Sequence, residues 1–315
     1  MAARVETATN AATQQVRRAL SGRRADIWGI VFQLLLLFTL VLALAVLMVL
    51  LLDVARTAIP YLLDRGGEVF STGLSSLPAN AGMKTGIIGS IYLGLFVLVL
   101  ALPLGVCAAI YMEEYATDTK LTRFINTNIR NLAGVPAIVY GILGLAIFVE
   151  LLKPITGPEV EGRSLLAGGL TIALMVLPIV IITTQEALRA VPTSIREAGF
   201  GVGATRWEVI RSHVLPYAAP GVLTGSVLSM ARALGETAPL IMVGATTGFL
   251  ATSGGIFASL QQHYTALPTL VFAYVKKPQE EFQQLAAVTI LVLIVFIFVV
   301  NLTAILLRNR YERKW

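Results

Sequence analysis

The chain has 315 residues, of which 56% are hydrophobic and 13% charged, with a formal net charge of +6 at pH 7. This composition excludes an ordinary soluble globular protein, in which about 25% of residues are charged. A single cysteine, Cys107, lies within an apolar run, which excludes a disulfide framework. We expect its side chain to be buried as a small apolar group.

Six apolar segments are long enough to cross a hydrocarbon core about 30 Å thick. They cover residues 28–52, 83–112, 131–152, 164–184, 217–243 and 285–307. The first segment is too long for the apolar region of a secretory signal, which predicts an uncleaved span. The sequence therefore predicts an all-α membrane protein with six transmembrane helices. Its expected parts are an N-terminal arm at 1–27, a six-span region at 28–308 and a basic tail at 309–315.

The basic residues predict the orientation of these spans. The arm holds 5 lysines and arginines, residues 113–130 hold 3, residues 186–216 hold 4 and the tail from Arg308 holds 4. The other three loops, with Lys84 included, hold 7. Because cytoplasmic loops are enriched in basic residues, we expect both termini to be cytoplasmic and residues 244–282 to form an outer loop. This topology signal accounts for the net charge without nucleic-acid binding.

Apolar residues in the outer loop predict an amphipathic helix that lies on the outer surface. These residues follow a helical spacing over one part of the loop: Phe257, Leu260, Tyr264, Leu267, Leu270 and Val271.

A polar elbow, residues 186–216, separates the fourth and fifth segments. Ser194 with Glu197, and Thr205 with Glu208, are two capping-box patterns that predict two helix starts. Pro216 is expected to end the second helix, because proline lacks an N–H group. Glycines between the two starts permit a tight turn, namely Gly199, Gly201 and Gly203. The elbow is either an ordinary helical loop or a docking surface for a partner.

The spacing within the elbow resembles the EAA loop of ABC-importer permeases. Glu197-Ala198-Gly199 is followed after three residues by Gly203 and after nine more by a segment that ends in Leu215-Pro216. Gly199 stands where the family usually has Ala, and His213 where it usually has Ile. The resemblance implies the type I ABC importer permease fold and docking into a separate ATPase subunit. It places these residues in coupling to the ATPase: Glu197, Ala198, Gly199, Gly203, Arg206, Leu215 and Pro216.

A second stretch, residues 231–240 with the sequence ARALGETAPL, resembles the fifth span of phosphate-importer permeases. Its continuation is more similar to the PstA family than to the PstC family. The resemblance implies half of a translocation pathway for inorganic phosphate in a bacterial-type inner membrane. It also implies a PstC-like permease, a pair of ATPase subunits and an extracytoplasmic phosphate-binding protein as partners, with membrane lipid around the spans.

Arg232 and Glu236 are two charges inside a predicted span. Each such charge costs about 2.5–3.5 kcal/mol on insertion scales, and residues at i and i+4 lie one helical turn apart. The pair is either an internal salt bridge that makes the span insertable or part of the lining of the translocation pathway.

Other chemistries find little support in the sequence. Residues 199–204 match a dinucleotide-binding pattern by letters, but an apolar span precedes them instead of a strand. The sequence has no phosphate-binding loop for ATP, and His213 and His263 are too far apart to suggest a metal site. We therefore expect no cofactor, no metal and no enzymatic activity. Alternatives are a permease for another anion, the PstC-like half of the importer, a secondary transporter or an intramembrane enzyme.

Overall fold

The computed structural model describes residues 27–245 and 259–311. Within these residues the chain forms helices and turns and contains no strand. The predicted arm before residue 27, part of the predicted outer loop and the last four residues lie outside the described residues. The main helices are α1 (Ile27–Arg65), α2 (Lys84–Tyr115), α3 (Lys120–Ala133), α4 (Ala137–Leu151), α5 (Leu165–Arg189), α6 (Thr193–Gly201), α7 (Arg206–Gly235), α8 (Ala238–Met242), α9 (Leu267–Val275) and α10 (Glu280–Tyr311).

The chain divides into two compact units, Met1–Asp53 and Val54–Trp315. The described part of the first unit is a helical segment whose large apolar side chains are exposed, such as Trp28 at 83% and Phe38 at 64%. A helix that is apolar all round is typical of a membrane span, since exposing so much apolar surface to water is unfavourable.

The number of spans agrees with the sequence when one bent pair of helices is counted as a single span. Helices α1, α2, α5, α7 and α10 are each long and apolar enough to cross a membrane. Helices α3 and α4 pass the same test together, but the chain bends by 105° between them. The all-α membrane class predicted from the sequence is therefore confirmed.

The predicted bounds of the third span, 131–152, are wrong at their N-terminal side. Residues 131–133 belong to α3, and the apolar helix α4 begins only at Ala137. Pro136 accounts for the break, because proline lacks an N–H group and disfavours the helical conformation at the residue before it.

Helix α5 is the central helix of the second unit, and most of its residues are buried. It packs against α2, α4 and α7. Small residues permit this close packing: a Cβ added at Gly105 of α2 would lie 2.6 Å from Cγ1 of Val180 in α5. Small residues thus let these membrane helices approach one another closely.

Helix α9 packs one face into the protein and leaves Phe272 and Val275 exposed, so the prediction of an amphipathic helix that lies on the outer surface is wrong. Tyr264, Leu267 and Leu270 are fully buried. The glycines of α2 make room for them, since a Cβ added at Gly86 would lie 3.0 Å from Cδ2 of Leu270. Phe257 lies outside the described residues.

Cys107 is exposed, which contradicts the prediction that it is buried. It lies on the face of α2 that carries Leu104 and Tyr111, which are also exposed. Buried α2 residues such as Gly105 and Ala109 lie on another face of the helix, so periodicity within the helix explains the difference.

Candidate coupling elbow and charged pair

The elbow consists of helix α6, a short turn and the start of α7. Gly203 in the turn has a φ of +83°, a left-handed conformation that favours glycine. A Cβ added there would meet no atom within 4 Å, so conformation and not space requires glycine. The expectation that Gly203 supplies backbone freedom is confirmed.

Thr205 begins α7 with the predicted capping box. Its hydroxyl accepts a hydrogen bond from the backbone N–H of Glu208, and its own N–H donates to Oε2 of Glu208 at 2.7 Å. These bonds satisfy two N–H groups at the start of the helix. The capping box predicted for Ser194 and Glu197 is wrong. Helix α6 begins at Thr193 after Pro192, and no side chain caps it at Pro192. Ser194 is therefore already a helical residue.

Pro216 does not end the second elbow helix, which corrects that prediction. Helix α7 continues from Arg206 to Gly235. Residues Ile210–Val214 form a wide turn in which the N–H of Leu215 bonds to the carbonyl of Ile210, five residues earlier. Such a turn accommodates the missing N–H and the ring of the following proline. Leu215 is half-buried and Pro216 exposed.

The elbow packs through a small apolar cluster formed by α5, the segment after it and α7. Its buried residues are Leu188, Val191, Val209, Val214 and Ala218. Trp207, Ile210 and Val214 follow a helical spacing, but only Ile210 and Val214 are buried, whereas Trp207 is 53% exposed.

The residues predicted to couple to an ATPase differ in exposure. Glu197, Ala198 and Arg206 are exposed, whereas Gly199 is buried. A Cβ added at Gly199 would lie 2.7 Å from Cγ2 of Val209, which explains why a residue without a Cβ fits this position. The exposed side of the elbow is therefore available to another subunit.

An ionic cluster that sequence reasoning missed joins this elbow to the end of α2. Arg189 forms two hydrogen bonds with the Glu113 carboxylate, at 2.6 and 2.9 Å, and Arg196 binds Glu114 at 2.7 Å. The partners are 76 and 82 residues apart in the chain, so no local sequence pattern reveals them. An open cleft of about 400 Å³ lies between these groups, lined by Glu113, Glu114, Arg189, Val191, Thr193, Arg196, Phe200 and Arg206.

Arg232 and Glu236 form the ion pair that their spacing predicts. Nε of Arg232 lies 3.4 Å from Oε1 of Glu236, and the two side chains are 42% and 24% exposed. Glu236 directly follows α7 and has an extended backbone, with a φ of −78° and a ψ of +128°. The pair thus lies at a helix break, and the predicted fifth span, 217–243, is not one continuous helix.

The break is fixed by close packing against α4. A Cβ added at Gly141 of α4 would lie 2.7 Å from the Cα of Pro239, at the start of α8. Pro239 and Leu240 of α8 are buried. The segment after α7 is therefore packed closely against α4, while the charged side chains stay partly accessible.

The structure does not bring the elbow and the charged pair together. Arg206 and Arg232 are 26 positions apart on the same helix, which corresponds to about 40 Å. Within the described residues there is no group of three or more His, Cys, Asp or Glu side chains that could hold a metal ion.

The fold is similar to that of solved ABC importers. The TM-score is 0.62 with a chain of a bacterial alginate ABC transporter in complex with an alginate-bound periplasmic protein. That match covers 91% of this chain and 98% of the other at 14% identity. An inward-facing MetNI methionine ABC transporter gives 0.55 at 17% identity, over 74% and 95% of the chains. These likenesses confirm the predicted type I ABC importer permease fold.

A family model that matches most of the chain defines the class of protein. The chain belongs to the family of inner membrane components of binding-protein-dependent transport systems, which matches residues 101–314.

Its relatives include the phosphate transport system permease protein PstA of Yersinia pestis, 34% identical over 72% of each chain. PstA of Xylella fastidiosa (strain 9a5c) is 34% identical over 73% of this chain and 77% of its own. The predicted resemblance to PstA is thereby confirmed. The probable ABC transporter permease YqgI of Bacillus subtilis is 33% identical over 57% of this chain, and the match spans 59% of YqgI.

Proposed function

We propose that this chain is the PstA-like permease subunit of an ATP-driven importer of inorganic phosphate. Relatives that carry the name PstA and the family of binding-protein-dependent transport systems support this substrate and this class. The chain forms half of the translocation pathway and performs no chemistry itself, since the ATPase is a separate subunit.

The proposed partners follow from this role. A PstC-like permease forms the other half of the pathway, a pair of ATPase subunits docks on the elbow, and an extracytoplasmic phosphate-binding protein delivers the substrate. The elbow and both termini face the cytoplasm, as the distribution of basic residues predicts. The exposed coupling residues of the elbow, including Glu197, Ala198 and Arg206, contact the ATPase.

One observation carries the proposed mechanism: a single helix joins the elbow to the charged pair. Helix α7 begins in the elbow turn and ends one residue before Glu236. Because a helix transmits displacement along its length, closure of the ATPase subunits moves the far end of α7. The elbow thereby controls a gate about 40 Å away.

The charged pair suits a phosphate ion at that gate. A guanidinium offers a planar fork of donors that matches an oxyanion, and a neighbouring carboxylate competes with that oxyanion for the same donors. Arg232 attracts phosphate as it leaves water, and Glu236 reclaims Arg232 so that phosphate is released. The partial exposure of both side chains is compatible with such an exchange.

Reconstitution tests this function. The chain is expressed with its candidate permease and ATPase partners, purified in mild detergent and placed in liposomes. We expect ATP-dependent uptake of radioactive phosphate that requires the binding protein, with weaker uptake of sulfate and molybdate. Uptake driven by an ion gradient without a copurifying ATPase would instead indicate a secondary transporter, and a preference for sulfate would indicate another anion importer.

A further inference from the structure

Arg196 of α6 contacts three different elements of the chain. Nε and Nη2 donate to the Glu114 carboxylate of α2, at 3.2 and 2.7 Å. Nη2 also donates to the carbonyl of Leu188, and Nη1 to that of Val191, both at 2.9 Å. One guanidinium thus joins the elbow helix to the end of α2 and to the end of α5.

This ion pair is more enclosed than the other ion pairs of the described residues. The side chains of Arg196 and Glu114 are 21% and 9% exposed, against 68% and 79% for Arg123 and Asp118. Charge-assisted hydrogen bonds are stronger than neutral ones, and partly buried ion pairs are screened by salt much less than exposed ones. The Arg196–Glu114 pair is therefore a durable connection.

Only an arginine at position 196 can make this set of contacts. The Leu188 carbonyl lies in the final turn of α5, where it accepts a long hydrogen bond of 3.3 Å from the N–H of Val191 and can accept a second one from Arg196. A guanidinium satisfies such carbonyls and a carboxylate at the same time, because its five N–H donors lie in a fixed plane. Lysine offers one small ammonium group, which cannot span all three partners.

Further arginine contacts lie beside this ion pair at the end of α2. Three consecutive residues, Glu113, Glu114 and Tyr115, each contact an arginine. The guanidinium carbon of Arg206 lies 5.6 Å from the centre of the Tyr115 ring. The end of α2 is thus attached both to the elbow and to the last turn of α5.

We propose that Arg196 is a positioning residue that makes α6 and the end of α2 move as one body. This inference rests on the proposed role of the elbow in coupling to an ATPase. Helix α7 receives the displacement directly because it begins in the elbow, whereas α2 receives it through Arg196. The two helices then move together when the ATPase subunits close.

A distance measurement tests the connection in the full chain reconstituted in liposomes. Spin labels are placed by Val202→Cys in the elbow and Tyr111→Cys on α2, which are 85% and 62% exposed, in a Cys107→Ala background. We expect one narrow distance distribution in the parent and a clearly broader one in Arg196→Gln. Arg196→Lys should broaden it as well, because lysine keeps the charge but not the three contacts. Arg123→Gln, a change at an exposed pair, should leave it unchanged.

A second variant keeps the inference testable if Arg196→Gln does not fold. Glu114→Gln removes the charge from the pair but keeps an amide oxygen that can accept from Arg196, so we expect a smaller broadening. A parent-like distribution in Arg196→Gln, or in Glu114→Gln where Arg196→Gln is not folded, would overturn the proposal.

Coupling provides a readout that a merely structural role would not change. In the complete transporter, we expect Arg196→Gln to retain the ATPase subunits but to lower the phosphate imported per ATP by about fivefold or more, within the usual range of allosteric coupling. An unchanged ratio at reduced abundance contradicts the proposal. If the parent transporter imports no phosphate, the proposed function fails, whereas the spin-label distances still test the connection.

Discussion

The elbow before α7 and the far end of α7 hold their charges in different ways. At the elbow, Arg196 and Glu114 are largely enclosed and joined by hydrogen bonds of 2.7, 3.2 and 3.4 Å, and Arg196 also donates to two backbone carbonyls. At the other end, Arg232 and Glu236 are separated by 3.4 Å and are 42% and 24% exposed.

This difference indicates which pair can open. Under the proposed function an arriving oxyanion replaces the carboxylate at Arg232, and a partly exposed ion pair, worth about 0–1 kcal/mol, permits that exchange. Removing one partner of an enclosed pair costs considerably more, because the remaining charge loses its compensation. We therefore propose that the elbow end transmits force and that the far end exchanges partners with a substrate.

The largest expected effect is an all-or-none difference in labelling between the two sides of the membrane. Single cysteines at Gly67 and Glu159, both exposed in the structure, should react with an impermeant thiol reagent in intact cells. Gly201→Cys, in the elbow, should not react. The Cys107→Ala background is needed because Cys107 is exposed.

Permeabilised cells supply the control, since Gly201→Cys should then react as readily as the other two. Reaction of Gly201→Cys in intact cells would show that the elbow faces the outside of the cell, where the proposed ATPase subunits could not bind it.

The next effect concerns the pair that is expected to open. Arg232→Gln should lower phosphate uptake per assembled complex by about tenfold or more, since a lost charge-assisted contact is worth about 1.5–3 kcal/mol. The double variant, Arg232→Gln with Glu236→Gln, should be abundant and assembled yet transport poorly. Uptake is measured for both single variants and for the double variant.

A purely structural bridge gives the opposite result. Under that alternative, Arg232→Gln leaves Glu236 unpaired and lowers abundance, while the double variant restores both abundance and uptake. Wild-type uptake by the double variant would remove both residues from the mechanism.

The sequence predicted those features that depend on local chemistry. Apolar runs gave the main spans, and Thr205 with Glu208 gave the start of α7. It failed where distant parts of the chain meet or where the backbone adapts. The Arg196–Glu114 pair joins residues 82 positions apart, and the wide turn before Pro216 allows a helix to continue through a residue that usually ends one.

A smaller effect is expected in the elbow turn. Gly203→Val forces a branched side chain into a left-handed conformation, which costs about 1–2 kcal/mol. The turn should then shift, so that the protein stays in the membrane but releases its ATPase subunits or hydrolyses ATP without uptake. Gly201→Val is the matched control: a Cβ at Gly201 also meets no atom within 4 Å, and φ is not positive there. Normal coupled uptake by Gly203→Val would contradict the docking of the elbow.

The smallest effect is expected at the cap of α7. Thr205→Ala removes the hydroxyl that accepts from the N–H of Glu208, whereas the N–H of residue 205 can still donate to the Glu208 carboxylate. Loss of such a cap costs about 1 kcal/mol, and here half of the reciprocal arrangement remains. Amide hydrogen exchange over residues 206–209 should therefore become up to about fivefold faster, which corresponds to that free energy. Thr205→Ser keeps the hydroxyl and should exchange like the parent.

Because the apolar cluster around Val209 and Val214 still holds the elbow against α5, coupled uptake should fall by less than the exchange rates rise. Equal exchange in the Ala and Ser variants would show that the cap adds nothing to the elbow and that its packing alone fixes the start of α7.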